Sequence, residues 1–315
     1  MSDHKIEPTK KDNPADRYGV VVTEKGPYLV YGRPPLNLQS IRLGPRPGGP
    51  GFEEGARFEM RTDPTALCRC GASHRKPYCD GTHATTAWDP TLTAPMQETT
   101  AGRTVIEGAT LTLEDNPRRC TLARFCQAEG DVRSLVGRSD EPESRRRAFH
   151  EAELCPGGRL TARDRQSGEP FEILYEPSLG LIEAPSIGAS GGLWLRGGIT
   201  LRREDGRTYA ARNRVVLCRC GRSADKPFCD GTHASVKWRD GLEERVPEPA
   251  TEGSEGQDCR AGRAGPKTAA GKMESANRAD RRSDQPKGSG PATQLKAAVH
   301  SDSSPNKPVT QAPGG

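Results

Sequence analysis

One stretch of sixteen residues occurs twice in this chain, and it limits what the chain can fold around. The first copy is Cys68-Arg69-Cys70-Gly71-Ala72-Ser73-His74-Arg75-Lys76-Pro77-Tyr78-Cys79-Asp80-Gly81-Thr82-His83. The second is Cys218-Arg219-Cys220-Gly221-Arg222-Ser223-Ala224-Asp225-Lys226-Pro227-Phe228-Cys229-Asp230-Gly231-Thr232-His233. Each holds three thiols and one imidazole, and soft ligands so dense in one short loop point to a metal or cluster site.

The repeat extends beyond the ligands. Trp88 and Trp238 each lie five residues after their motif His. Gly192-Leu193-Trp194-Leu195-Arg196-Gly197 matches Pro27-Tyr28-Leu29-Val30-Tyr31-Gly32 in pattern. A duplicated domain of strands, site and trailing Trp is therefore expected. With 32% apolar residues, 36 Gly and 27 Pro in 315 residues, the domains must be small and loop-rich, and bound metal can staple such domains.

The order of elements follows from local pattern. Residues 1–17 read as a disordered lead-in, and 18–92 as the first duplicated domain. Within it, Gly19–Thr23 and Tyr28–Tyr31 suggest a hairpin around Glu24-Lys25-Gly26-Pro27. Pro34-Pro35 breaks the second strand, Gly44–Gly55 reads as an exposed loop, and Arg57–Arg61 as a further strand. A linker is expected over 90–103 and a middle unit over 104–185. Its strands are expected at Val105-Ile106, Leu111–Leu113, Leu160–Ala162 and Phe171–Tyr175, and a helix over Glu141–Leu154. The second duplicated domain spans 186–243. Residues 244–315 lack Phe, Tyr and Trp and are expected to be a disordered tail. Cys259 in that tail reads as an incidental free thiol.

The ligand spacing, Cys-x-Cys-x8-Cys-x3-His, favours a cluster over zinc, because structural zinc sites commonly use Cys-x2–4-Cys pairs. A tight Cys-x-Cys pair suits one iron of a two-iron cluster. Residues four apart, as in Cys-x3-His, meet on one face of a turn and suit the other. Asp80 is placed to cap free N–H groups, and Gly81 permits close backbone approach. Zinc remains the alternative from spacing alone.

Both stretches resemble the CDGSH-type iron–sulfur motif of the NEET proteins, with Thr82 and Thr232 in the variable position before the His. Ser73, Ser223, Pro77 and Pro227 also fit that pattern. The resemblance implies a [2Fe–2S] cluster in each motif. Cys68 and Cys70 would hold the inner iron and Cys79 with His83 the outer one; Cys218, Cys220, Cys229 and His233 play the same parts in the second. The fold it implies is a small β-rich (α+β) domain, used twice around the middle unit. A leading hydrophobic helix like that of membrane-anchored members is not expected.

The middle unit carries a second constellation, Cys120-x5-Cys126, then the helix, then Cys155-Pro156. It resembles the divergent single-cluster 4Fe–4S ferredoxin-like domain over about residues 104–165, but offers three cysteines where four are usual. A 4Fe–4S cluster with a non-Cys ligand, a 3Fe–4S cluster, or thiols that simply pack a reduced core all stay open. His74 is replaced by Ala224 in the second copy and reads as an exposed loop residue; His4, His150 and His300 read as solvated or packed.

Function is bounded from several sides. A net charge of +5, with 47 basic and 42 acidic residues, gives no field for nucleic acid. No apolar run reaches membrane-spanning length, and Met1–Tyr18 lacks a signal-peptide core. A cytoplasmic chain with reduced thiols is expected. No phosphate loop or nucleophile–base pair marks an enzyme. The expected role is soluble one-electron transfer with a redox partner protein. The alternatives are a cluster carrier or redox/pH sensor serving an apo iron–sulfur acceptor, and a zinc-stabilised interaction module. A monomer whose two duplicated domains form an intramolecular pseudo-dimer is expected.

Overall fold

The computed structural model describes residues 17–44, 48–97 and 102–242. The expected lead-in, except Arg17, and the whole expected tail lie outside the described residues, as do His4, His300 and Cys259.

The first hairpin forms as its β-branched runs require: β1 (Gly19–Val22) and β2 (Tyr28–Tyr31) pair antiparallel. After the Pro34-Pro35 break come β3 (Leu36–Arg42), β4 (Gly51–Phe58) and β5 (Thr65–Leu67). β3 was not apparent from the sequence. β4 corrects two expectations, since the loop expected over Gly44–Gly55 ends in a strand and the strand expected over Arg57–Arg61 stops at Phe58. β4 lies at the edge of its sheet with half of its residues exposed and none buried, so no alternating apolar run announces it.

The middle unit contains β6 (Thr104–Glu107), β7 (Leu111–Asp115), α1 (Val132–Gly137), α2 (Pro142–Glu153), β8 (Leu160–Asp164) and β9 (Pro170–Phe171). Asp131 caps α1 by accepting from the Ser134 N–H at 3.1 Å. Pro142 starts α2, and Glu143 pairs with Arg146 and Arg147 along its exposed face. Its other face buries Ala148 and Ala152 against Leu111, Leu113, Val136 and Leu160. The strand expected over Phe171–Tyr175 is only β9, because the ladder to β8 ends after two residue pairs.

The second half supplies β10 (Ser178–Ala184), β11 (Ala189–Arg196), β12 (Thr200–Arg203), β13 (Arg214–Leu217) and the short α3 (Thr232–Ser235). β10 ends at the boundary expected between the middle unit and the second duplicated domain, and it pairs with strands on either side of the chain.

The sheets show how the duplication is assembled. One sheet runs β12-β1-β2-β5 and another β13-β11-β10-β3-β4. β1 and β10 correspond, as do β2 and β11, and β5 and β13. In the first sheet Tyr28 lies opposite Leu67, and in the second Leu193 lies opposite Leu217. The strand after each hairpin has changed sides: β12 runs parallel to β1, and β3 runs parallel to β10. Val20 thus faces Leu201, and Leu179 faces Leu36. Val22, Tyr28, Val30, Leu67, Leu181, Leu193, Leu195 and Leu217 form one core shared by both sheets. Each half therefore completes the other's sheet. No helix among the described residues is long and apolar enough to cross a membrane.

Candidate metal centres

Each motif begins where a strand ends. β5 leads into Cys68 and β13 into Cys218. The Cys68 N–H donates to the Pro77 carbonyl at 2.8 Å, and the Cys79 N–H to Ala66 at 2.9 Å. The same bonds recur from Cys218 to Pro227 at 2.7 Å and from Cys229 to Val216 at 2.9 Å. The strand thereby carries the first and third cysteines side by side.

The loop between them is built identically in both copies. The Ser73 hydroxyl donates to the Tyr78 carbonyl and accepts from the Arg75 N–H; Ser223 does the same with Phe228 and Asp225. Lys76 donates to the Ser73 carbonyl and Lys226 to that of Ser223. Asp80 accepts from the N–H groups of His74 and Thr82, and Asp230 from those of Ala224 and Thr232. The expected capping role of the Asp is realised in both.

These constraints bring the donors together in pairs. The Cys68 and Cys70 sulfurs are 3.8 Å apart, as are those of Cys218 and Cys220. Cys79 Sγ lies 3.3 Å from His83 Nδ1, and Cys229 Sγ 3.3 Å from His233 Nδ1. For metal–sulfur bonds of about 2.3 Å and metal–nitrogen bonds of about 2.0–2.1 Å, the edge of a tetrahedron is about 3.8 Å between two sulfurs and about 3.5 Å between sulfur and nitrogen. Each pair therefore spans roughly one edge of a tetrahedral metal. Among the described residues no group of three or more Cys, His, Asp or Glu is gathered to hold a single ion. Two ligand pairs, each spanning about one tetrahedral edge, suit two metals bridged by other atoms. The donor set fits a two-iron cluster.

Thiol–thiol hydrogen bonds, then burial, tune the thiols. In each Cys-x-Cys pair one thiol hydrogen-bonds the other, lowering the acceptor and raising the donor. Cys68 is lowered to about 6 with Cys70 raised, and Cys220 is lowered with Cys218 raised. Burial pushes Cys79 and Cys229 up.

The two sites differ in their surroundings. Cys79 and His83 are half-buried, whereas Cys229 and His233 are buried. The cover over the second site is the loop from Cys120 to Arg124. Leu122 and the Cys120 carbonyl pack against Gly231, and Ala123 and Phe125 share a core with Cys229, Val216 and Trp194. Leu122 and Arg124 both hold left-handed backbone, at φ 55° and 65°, which costs energy for residues with a Cβ. Arg214 ties this unit down by donating to the carbonyls of Ala152, Glu153 and Cys155 and pairing with Glu172.

The middle cysteines are brought together. Cys120, Cys126 and Cys155 line one small cleft with Arg159, whose guanidinium donates to Cys120 Sγ at 3.2 Å. His74 is exposed, as expected. His150 is half-buried and meets Glu129 at 2.8 Å.

Several contributing residues were not singled out from the sequence. Arg69 and Arg219 are buried behind their Cys pairs and stack on Trp88 and Trp238. An identical residue between the first two ligands of both copies was the available signal. Tyr28, Glu183, Asp240 and Leu122 left none, since they reach the sites through non-local pairing.

Two segments, 25–84 and 190–234, match the family model described as iron-binding zinc finger CDGSH type. Each segment contains one motif. Searches of curated proteins and of solved structures found no match.

Proposed function

We propose that this chain, which carries two tandem CDGSH-type domains, is a one-electron-transfer protein holding a [2Fe–2S] cluster at each Cys3His set. The observation that carries this reading is the pairing of donors: two ligand pairs per site, each near a tetrahedral edge. Cys68, Cys70, Cys79 and His83 would hold one cluster, and Cys218, Cys220, Cys229 and His233 the other. When bound, such a cluster supplies a single electron at a potential above that of the all-thiolate form, because a neutral imidazole replaces one negative ligand.

The chain's own residues support transfer. The inner cysteine pairs are buried, and their loops touch across the molecule. A Cβ on Gly71 would come 2.5 Å from the Cys220 carbonyl oxygen, and one on Gly221 would overlap that of Cys70. Trp238 Nε1 donates to the Gly71 carbonyl at 3.3 Å, joining the far end of the second site to the first. Continuous covalent and hydrogen-bonded matter therefore links the two sites. The half-exposed Cys79–His83 edge is the face a redox partner protein would approach.

That same exposed edge supports a second reading, delivery of a cluster to an apo acceptor. The middle cysteines extend the first. Three thiols on one cleft match the three ligands of a 3Fe–4S cluster, whereas a 4Fe–4S cluster would leave one iron without a cysteine. A soluble cytoplasmic monomer with no catalysis of its own completes the reading.

Protein purified without oxygen should be coloured and contain about four irons and four sulfides per chain, more if the middle cleft is filled. Stopped-flow oxidation of the reduced protein by an acceptor protein should outpace loss of cluster to an apo-ferredoxin. The opposite order would favour delivery, and colourless protein with stoichiometric zinc would overturn both.

A further inference from the structure

The two sites are near-copies, so most influences on them cancel, and the residual differences lie in the second sphere. Arg69 and Arg219 occupy the same place between the first two ligands. Arg69 is 2% exposed and donates only to backbone carbonyls: Gly26 at 2.8 Å and Thr23, Glu24 and Pro90 at 3.0 Å each. Among the described residues no carboxylate bonds to it, and Asp89, which senses its charge, is exposed.

Arg219 keeps two such carbonyls, Gly191 at 3.1 Å and Ile182 at 3.0 Å. Its other two partners are carboxylates, Glu183 at 2.9 Å and Asp240, whose side chains are 1% and 0% exposed. One copy thus has a buried cation in a neutral cage, and the other a cation facing two buried acids. Burial pushes Glu183 up to about 8, but Asp240 faces Arg219 whether or not Glu183 holds its proton. The charge of Arg69 reaches both Cys70 and Cys218, so it does not by itself separate the sites; the buried carboxylates do, since Glu24, at the position of Glu183, offers Arg69 only its carbonyl and is exposed.

Water is the second difference. His233 is 3% exposed, with Leu122 packed on Gly231 two residues before it, whereas His83 is half-buried. Reduction adds negative charge to a site that already carries three thiolates. Nearby carboxylates and exclusion of water both disfavour that charge. Both differences therefore act in one direction. The loop charges differ in both senses: Arg75 in the first copy corresponds to Asp225 in the second, which is bridged to Arg118, while Ala72 corresponds to Arg222.

We propose that Glu183 and Asp240 behind Arg219, with the cover of Leu122, hold the second site at a lower reduction potential than the first, so that an electron shared between them resides on the first. This rests on the two-cluster reading above. It assigns direction to the pair: the covered site beside the middle cysteines is the giving side, and the half-exposed Cys79–His83 site is the receiving side.

The test is a reductive titration of the full chain, after iron and sulfide have been counted, followed by visible circular dichroism and by electron paramagnetic resonance. Two one-electron waves are expected. Their separation should correspond to an equilibrium constant of at least about tenfold between the sites, which is 59 mV for one electron. Asp240→Asn should raise the lower wave and leave the upper one in place. Leu122→Gly, outside the buried cage and at a left-handed position that glycine accepts, should do the same by admitting water. Coincident waves in the parent protein, or variants that move the upper wave, would overturn the inference while leaving the clusters themselves established. Colourless protein, or iron without sulfide, would overturn the cluster reading before any titration.

Discussion

The hydroxyl of Tyr28 donates a 2.7 Å hydrogen bond to the carbonyl of Cys218, a residue 190 positions away in the other motif. Tyr28 is fully buried, and its oxygen also lies 3.3 Å from the Pro227 carbonyl. A strand of the first half thus holds the backbone on which the second ligand set is mounted. Tyr28→Phe removes this donor from the buried Cys218 carbonyl, while the Pro227 carbonyl keeps the Cys218 N–H, and should cost about 1–3 kcal/mol. The expected signature is a lower urea midpoint with a preferential loss of iron from the second site. Loss confined to the first site would contradict the cross-half contact.

Gly71 and Gly221 meet across the molecule with left-handed φ of 79° and 76°. Alanine at either position combines backbone strain with overlap on a carbonyl and should cost on the order of 3 kcal/mol. Since each glycine packs on the other site's cysteine, either single variant should lower cluster content at both sites, read as iron per chain. An effect limited to the mutated site would show that the loops do not depend on each other.

Access to water should separate the sites kinetically. The half-buried Cys79–His83 edge should lose its cluster to chelator or acid first, and the covered second site several-fold more slowly, because the cover must open locally. The decay of visible absorbance should therefore be biphasic. Leu122→Gly should speed the slow phase and leave the fast one unchanged. A single phase in the parent protein would argue against the cover.

The buried Glu183 gives the metal-free fold a pH dependence with a definite sign. Burial raises its carboxyl to about 8, above the unfolded value near 4.5, so the folded state binds more protons between those limits. Its contribution is fully present below about 4.5 and is lost as pH rises through about 8. Relative to Glu183→Gln, the parent protein should lose stability across that window, measured as the difference in urea midpoints. A rise instead would mean that the 2.9 Å pairing with Arg219 outweighs desolvation.

What the sequence disclosed followed from range. The ligand loops were legible because all four donors and their supporting Ser, Pro and Asp fall within one short stretch. α2 was legible from Ala148, Phe149, Ala152 and Leu154 beside the Arg145–Arg147 run and from the Cys155-Pro156-Gly157 stop. β4 was missed because an exposed edge strand needs no apolar alternation. The parallel pairings of β1 with β12 and of β3 with β10 were invisible for another reason: parallel partners lie far apart in sequence and leave no local turn signal. The unequal surroundings of the two ligand sets followed from those pairings. Glu183 lies on β10, and Asp240 accepts a hydrogen bond from Ser190 on β11, so neither residue stands near Arg219 in sequence.

The exchange of β3 and β12 between sheets joins the halves as tightly as a dimer of identical chains could be joined, yet here it lies within one polypeptide. Dilution cannot part the two sides, so their ratio is one to one at any concentration. Inheritance differs as well. In a dimer of identical chains every substitution falls on both sides at once. In this chain Arg69 and Arg219 are written by separate codons, so one side can change its neighbours while the other keeps them. Fusion removes the constraint that would otherwise keep two such sites alike.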